Sequence, residues 1–179
     1  MIEIPVLLIL LALPVGIHYG WWVFVCFLLV LPGLYALMTG VQYFPTFGKI
    51  MKRMLALADI KKGEKVYDLG SGDGRFIFAA ARKGANATGY ELSLPLFVYT
   101  KIISFFIPRS HIYFRNFWKQ DYRDADVIFC FLLISLMQRF EKEVWPTLKP
   151  GTRVISHSFK MKGIKPTKED GEAVLYIKD

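Results

Sequence analysis

No Asp, Glu, Lys or Arg occurs from Ile4 to Gly48, a run of 45 residues without a formal charge. Such a run cannot face water along its whole length, which excludes a wholly soluble protein. Cysteine is scarce: Cys26 lies inside the uncharged run and Cys130 inside a second apolar stretch, so a disulfide scaffold is excluded. The only histidines, His18, His111 and His157, form no ligand cluster with cysteine, and no metal is expected. Tandem repeats and low-complexity tracts are absent, and with 54% hydrophobic residues disorder is excluded too. Charge is what the rest of the chain has. All 23 Lys and Arg lie from Lys49 onward, with 14 of the 15 acids, leaving a net charge of +9 on the last 131 residues.

A helix needs about 20 apolar residues to cross roughly 30 Å of hydrocarbon. Trp21 to Phe44 supplies 24, with Trp21, Trp22, Tyr35 and Tyr43 placed for the interfaces. The preceding stretch, Ile4 to Ile17, has 14 residues with Pro5 and Pro14, and Gly16, His18 and Gly20 read as a turn after it. One crossing with an interfacial lead-in and a two-helix hairpin both fit. A cleaved signal peptide fits less well, because the positive leader is missing and the apolar run is too long. Lys49, Lys52, Arg53, Lys61, Lys62 and Lys65 follow closely and nothing basic precedes, which predicts a membrane anchor with the domain on the cytoplasmic face, or the matrix face in a mitochondrion. The basic excess suits an anionic lipid bilayer as partner. Scattered rather than clustered cations argue against nucleic acid. The expected division is an anchor over 1–44, a linker and amphipathic helix over 45–62, and a domain over 63–179. In the helix Phe47, Ile50, Met51, Met54, Leu55 and Ala58 recur at helical spacing, with Lys49, Lys52 and Arg53 opposite.

Lys65 to Leu69 reads as a strand, Gly70-Ser71-Gly72-Asp73-Gly74 as a tight turn, Arg75 to Arg82 as a helix and Ala87 to Glu91 as a second strand. This is a βαβ unit, which predicts an α/β fold with a parallel sheet. The turn is not the dinucleotide G-x-G-x-x-G, since the third fingerprint position is Arg75, and no Gly-Lys-Ser/Thr follows for a triphosphate. Asp68 before the turn would repel a pyrophosphate but suits an ammonium group. Glu91, 17 residues after Gly74, is placed to accept hydrogen bonds from ribose hydroxyls. A ligand with a ribose, a cationic amino-acid end and no phosphate is S-adenosylmethionine.

Asp68 to Arg75 with Gly89-Tyr90-Glu91-Leu92 resembles motif I and the following acidic motif of class I S-adenosylmethionine-dependent methyltransferases. More narrowly the chain resembles the membrane-anchored lysine methyltransferases of the ADP/ATP carrier and the ATP synthase c subunit, and their short prokaryotic relatives. Tyr43-Phe44-Pro45-Thr46, Val66-Tyr67-Asp68, Asn116-Phe117-Trp118-Lys119 and Leu148 to His157 carry that likeness. The resemblance implies a short Rossmann-like methyltransferase sheet after one or two transmembrane helices. It implies a cofactor site at Asp68, Gly70, Ser71, Gly72, Asp73, Gly74, Glu91, Leu92, Asn116 and Phe117. Asn116 stands where relatives have Asp to accept from the adenine amino group, and its amide oxygen still accepts. Ile164 stands where relatives often carry Trp.

The expected reaction is methyl transfer to a lysine of a protein, possible only once the lysine has lost its proton. Val127 to Phe131 reads as the fourth strand, and Cys130-Phe131-Leu132-Leu133 at its end lacks the Asn/Asp-Pro-Pro pattern of adenine methylation. Phe117, Trp118, Tyr122 and Phe131 are the candidates for a desolvating environment, with Asp121 orienting the amine or standing as a solvated loop acid. Cys130 reads as core and His157, after a strand over Arg153 to Ser156, as structural. Past that strand a loop and one strand, Ala173 to Ile177, are expected, with no inserted lid. The bilayer and Tyr43-Phe44-Pro45 would form one wall of an open site. A small-molecule or lipid methyltransferase and a non-catalytic cofactor-binding membrane module remain as alternatives.

Overall fold

The computed structural model describes residues 48–179, together with positions 20–23, 25, 26 and 30. Among the described residues no helix is long and apolar enough to cross a membrane. The anchor expected over 1–44 falls, apart from those few positions, outside the described residues, as do Tyr43-Phe44-Pro45.

Helix α1, Gly48–Ala58, has the expected amphipathic pattern, with Met54 and Ala58 buried and Lys49 and Lys52 exposed. The chain then alternates: β1 Lys65–Leu69, α2 Arg75–Arg82, β2 Asn86–Glu91, α3 Leu94–Ser104, β3 Ser110–Phe114, a 3-10 turn Phe117–Lys119, and β4 Val127–Cys130. Helix α4 Ile134–Glu143, a second 3-10 turn Trp145–Thr147, β5 Arg153–His157, β6 Lys168–Asp170 and β7 Ala173–Ile177 complete it. These strands form one seven-stranded sheet in the order β3-β2-β1-β4-β5-β7-β6. β1 to β5 are parallel, and β7 runs antiparallel between β5 and β6. The strand order reverses between β1 and β4, and that crevice at the carboxyl ends is where open α/β sheets bind ligands.

The expected βαβ unit is present. Strands four and five each end one residue from their sequence boundaries, and the chain after β5 differs more: two strands form, not one. β6 is three residues, Lys168, Glu169 and Asp170, all exposed, so it carries no apolar alternation that a sequence pattern could register. It exists because the turn at Gly171, with φ +61°, folds it back along β7.

Each sheet face has its own core. One gathers Met54, Ala58, Val66, Phe76, Ile77, Phe129 and Ile155 beneath α1 and α2. The other gathers Leu69, Tyr90, Phe117, Tyr122, Ile128, Met137, Phe140 and Tyr176 beneath α4 and the loops. Arg153 fastens α1 to the first of these faces. Its guanidinium donates to the carbonyls of Ala58 (2.7 Å) and Asp59 (2.8 Å) at the helix end, and to Glu64 Oε1 at 2.5 Å. The fork thereby supplies the donors that terminal helix carbonyls lack. Truncating it, Arg153→Ala, is expected to lower unfolding stability by about 2–4 kcal/mol. Arg153→Lys should recover only a minor part, because one ammonium cannot span three acceptors. Urea denaturation of the full chain followed by fluorescence checks both.

Candidate functional site

The turn after β1 is built by backbone conformations that favour glycine. Gly70, Gly72 and Gly74 have φ of +86°, +53° and +76°, which L side chains adopt only under strain. The amides of Gly70 and Ser71 both donate to the Tyr90 carbonyl, at 3.1 and 3.0 Å, which pins the turn onto the end of β2. From the same strand end, Glu91 reaches under the turn. Its Oε2 accepts from the Gly72 amide at 2.8 Å, and its Oε1 accepts from the amides of Leu92 (2.9 Å) and Ser93 (2.6 Å). Glu91 is thus a structural tie as well as a candidate ligand group, with acceptor capacity remaining on Oε2.

Asp68 lies beside it, also only 6% exposed, and the described residues give its carboxylate no hydrogen bond. Burial, and then the negative charges of Glu91 and Asp73, push its pKa well above the carboxylate range. Burial raises the Glu91 pKa too, against the pull of its three amide donors. Ser71 Oγ is buried without a hydrogen-bond partner. Gly89 makes room for it: a Cβ there would stand 2.6 Å from Ser71 Cβ. Asp73 is held by Arg75, whose Nε lies 2.8 and 3.0 Å from the two carboxylate oxygens. An unpaired buried carboxylate and an orphaned hydroxyl in one crevice are costly in an isolated chain, and they suit a ligand that brings an ammonium and hydroxyls. S-adenosylmethionine fits that requirement.

Asn116 and Phe117 follow β3, next to the end of β2 in the sheet. The Asn116 side-chain oxygen caps the 3-10 turn by accepting from the Trp118 amide at 2.9 Å, so its second lone pair is what remains for an adenine amino group. Phe117 is buried, and its carbonyl accepts from the Tyr122 hydroxyl at 2.7 Å. Asp121 and Tyr122, adjacent in sequence, are parted by the structure. Asp121 is exposed and bound to Arg123 at 2.6 Å, which holds its carboxyl down at about 2. Tyr122 is core, with its hydroxyl pKa raised by burial. Trp118 lies under the Arg139 guanidinium at 4.2 Å. Burial pushes the Cys130 thiol up to about 12, so it stays protonated and a poor nucleophile.

Phe131 stands apart from the other aromatic candidates. At the carboxyl ends of β4 and β5 its ring lies 4.1 Å from that of His157 and 5.9 Å from that of Phe159. His157 is the last residue of β5, and its Nε2 lies 3.0 Å from Glu172 Oε2. Phe159 and Glu172 escaped the sequence reading. They converge because Ser158 takes φ +64°, a left-handed step by a non-glycine residue that no periodicity announces. Among the described residues no group of His, Cys, Asp or Glu could hold a metal ion.

Residues 68–168 match the family described as the ANTKMT methyltransferase domain. A protein-lysine N-methyltransferase of Saccharolobus islandicus is 35% identical over 144 residues, covering 73% of this chain and 87% of that protein. The mouse adenine nucleotide translocase lysine N-methyltransferase is 32% identical over 136 residues, covering 74% of this chain and 59% of its own length. Among solved structures, an RNA methyltransferase from Salinibacter ruber in complex with S-adenosyl-L-homocysteine superposes with a TM-score of 0.70 at 31% identity, covering 75% of this chain and 94% of that one. With its sheet order, its glycine turn and its paired buried acids, the chain belongs to the ANTKMT methyltransferase domain family and is a class I S-adenosylmethionine-dependent methyltransferase.

Proposed function

We propose that the protein transfers the methyl group of S-adenosylmethionine to a lysine side chain of a protein presented at a membrane surface. The observation that carries the lysine assignment is the 35% identity to a protein-lysine N-methyltransferase along nearly its whole length. The 45 uncharged residues ahead of a basic domain support the membrane location.

When bound, the cofactor supplies a methyl group already activated as a sulfonium. The protein's tasks are alignment and desolvation. Asp68 would meet the cofactor's ammonium, Ser71 and Glu91 its hydroxyls, and Asn116 its base. The acceptor lysine must arrive neutral, and apolar surroundings favour that form. Phe131 and Phe159 at the ends of β4 and β5 offer an aromatic wall to the lysine's alkyl chain and to the positive charge that develops on its nitrogen during transfer. Tyr122 acts by positioning, since its hydroxyl holds the Phe117 carbonyl in place. Asp121, tied to Arg123, would have to exchange that partner to meet an amine.

A second reading, RNA as acceptor, is favoured by the description of the Salinibacter ruber protein. One experiment separates the two. The full chain is incubated with radiolabelled S-adenosylmethionine and a membrane fraction containing RNA. Label retained as methyl-lysine by mass spectrometry is expected; label in RNA or in the organic-solvent extract would overturn the reading. In the same assay Phe131→Ala should reduce turnover by about 1–2 kcal/mol, roughly five- to thirtyfold, with cofactor affinity retained.

The elevated acids give a pH signature. Folded Asp68 and Glu91 titrate above their unfolded values, so the ligand-free fold binds extra protons and loses stability as pH rises through that range. An ammonium ligand prefers ionised Asp68, so cofactor affinity should climb as pH rises through the same range, with a proton released on binding. Asp68→Asn should abolish that release, weaken binding by about 1.5–3 kcal/mol and raise the melting temperature of the ligand-free protein. Calorimetry in buffers of different ionisation enthalpy checks all three.

A further inference from the structure

Helix α3 is apolar on both of its faces. It turns Thr100 (0% exposed) and Ser104 inward, packs Phe97 and Ile103 half-buried against the core, and leaves Leu94, Val98, Tyr99 and Ile102 (55% exposed) facing outward. The buried hydroxyls need nothing from the domain, because each bonds to its own helix: Thr100 Oγ1 to the carbonyls of Leu96 (2.7 Å) and Phe97 (3.1 Å), Ser104 Oγ to that of Lys101 (2.7 Å). Thr100 Cγ2 would stand 3.3 Å from a Cβ at Gly74, so this part of α3 lies close to the glycine turn that precedes α2. The apolar stripe then runs off the helix end into Phe105 and Phe106, 77% and 81% exposed. By contrast α4, beyond an exposed Ile134 at its start, buries Met137 and Phe140 and exposes Gln138, Arg139, Lys142 and Glu143, the usual arrangement.

The charge in the segment that carries the stripe is of one sign. From Leu92 to Gln120 there is no Asp or Glu in 29 residues, while Lys101, Arg109, Arg115 and Lys119 are all there. Lys101 Nζ lies 5.7 Å from the rings of both Phe105 and Tyr113, and the Arg115 guanidinium 5.2 Å from Tyr113. Aromatic and aliphatic groups set among cations, without one acid, are complementary to the headgroup region of an anionic bilayer. At 11 residues α3 is about 16 Å long, too short to span and suited to lying in the interface.

We infer that the outer face of α3 with Phe105 and Phe106 is a second membrane contact, inserting into the interface of an anionic leaflet separately from residues 1–47. It rests on the membrane-surface part of the proposed function and is independent of the acceptor's identity. Such a contact would hold the domain against the lipid with its basic face inward.

The test places a nitroxide at Phe106→Cys in the full chain carrying Cys26→Ser, Cys130 being buried. A second sample carries it at Lys142→Cys on α4. Vesicles are phosphatidylcholine with a minority of phosphatidylglycerol. Collision rates with oxygen, which partitions into lipid, and with a water-soluble nickel chelate are compared. At position 106 oxygen should dominate, and at 142 the chelate should. If the protein sediments with vesicles while position 106 collides mainly with the chelate, the α3 contact is overturned and the membrane-surface reading stands. If both collision rates at 106 are low, protein covers the stripe and the contact is overturned: dipolar broadening then identifies a second copy, and its absence this chain's own residues. Failure of the whole chain to sediment with vesicles overturns both readings.

Discussion

Holding two carboxylates side by side in a dry crevice is unfavourable, and the architecture around the turn follows from making it possible. Glu91 is tolerated because three amides point at it, from Gly72, Leu92 and Ser93. Those amides are free only because the chain bends through left-handed residues on one side and is about to enter α3 on the other. Asp68 receives no such help from the described residues. Its charge is unfavourable in the ligand-free fold, so the position is selective for a cation. Placing that cradle where the strand order reverses leaves it open at the carboxyl ends of β1, β2 and β4.

The opposite side of the crevice has a different character. Phe131, His157 and Phe159 meet where β4 and β5 end, and Glu172 reaches them from the hairpin that carries β7. The carboxyl ends of β1 and β2 thus carry charged and hydrogen-bonding groups, and those of β4 and β5 carry aromatic ones. Methyl transfer from a sulfonium to an amine asks for both: fixed polar groups for the donor and a poorly hydrated approach for the acceptor.

The cradle was legible in the sequence because its parts are local and chemically explicit. Asp68, the glycines and Glu91 stand within one βαβ unit, and each residue type has few other uses in that order. Glu91's tie to the Gly72 amide was not legible, since it depends on how the turn folds over the strand end. The aromatic corner was hidden for a similar reason. His157 and Phe159 are brought together by a left-handed Ser158, and Glu172 arrives from 15 residues away through a hairpin. β6 had no pattern to read, being exposed on both faces. Asp121 and Tyr122 looked alike as neighbours of a possible acceptor, and only packing separates an exposed ion pair from a core phenol.

That same β6 has a further consequence. A sheet that ends in an open strand exposes a row of amides and carbonyls to any neighbour. At this edge, opposite the one formed by β3, the strand is three residues long and reads Lys-Glu-Asp. Its brevity and its three charges leave little for another chain to add to, which disfavours edge-to-edge pairing on this side of the sheet.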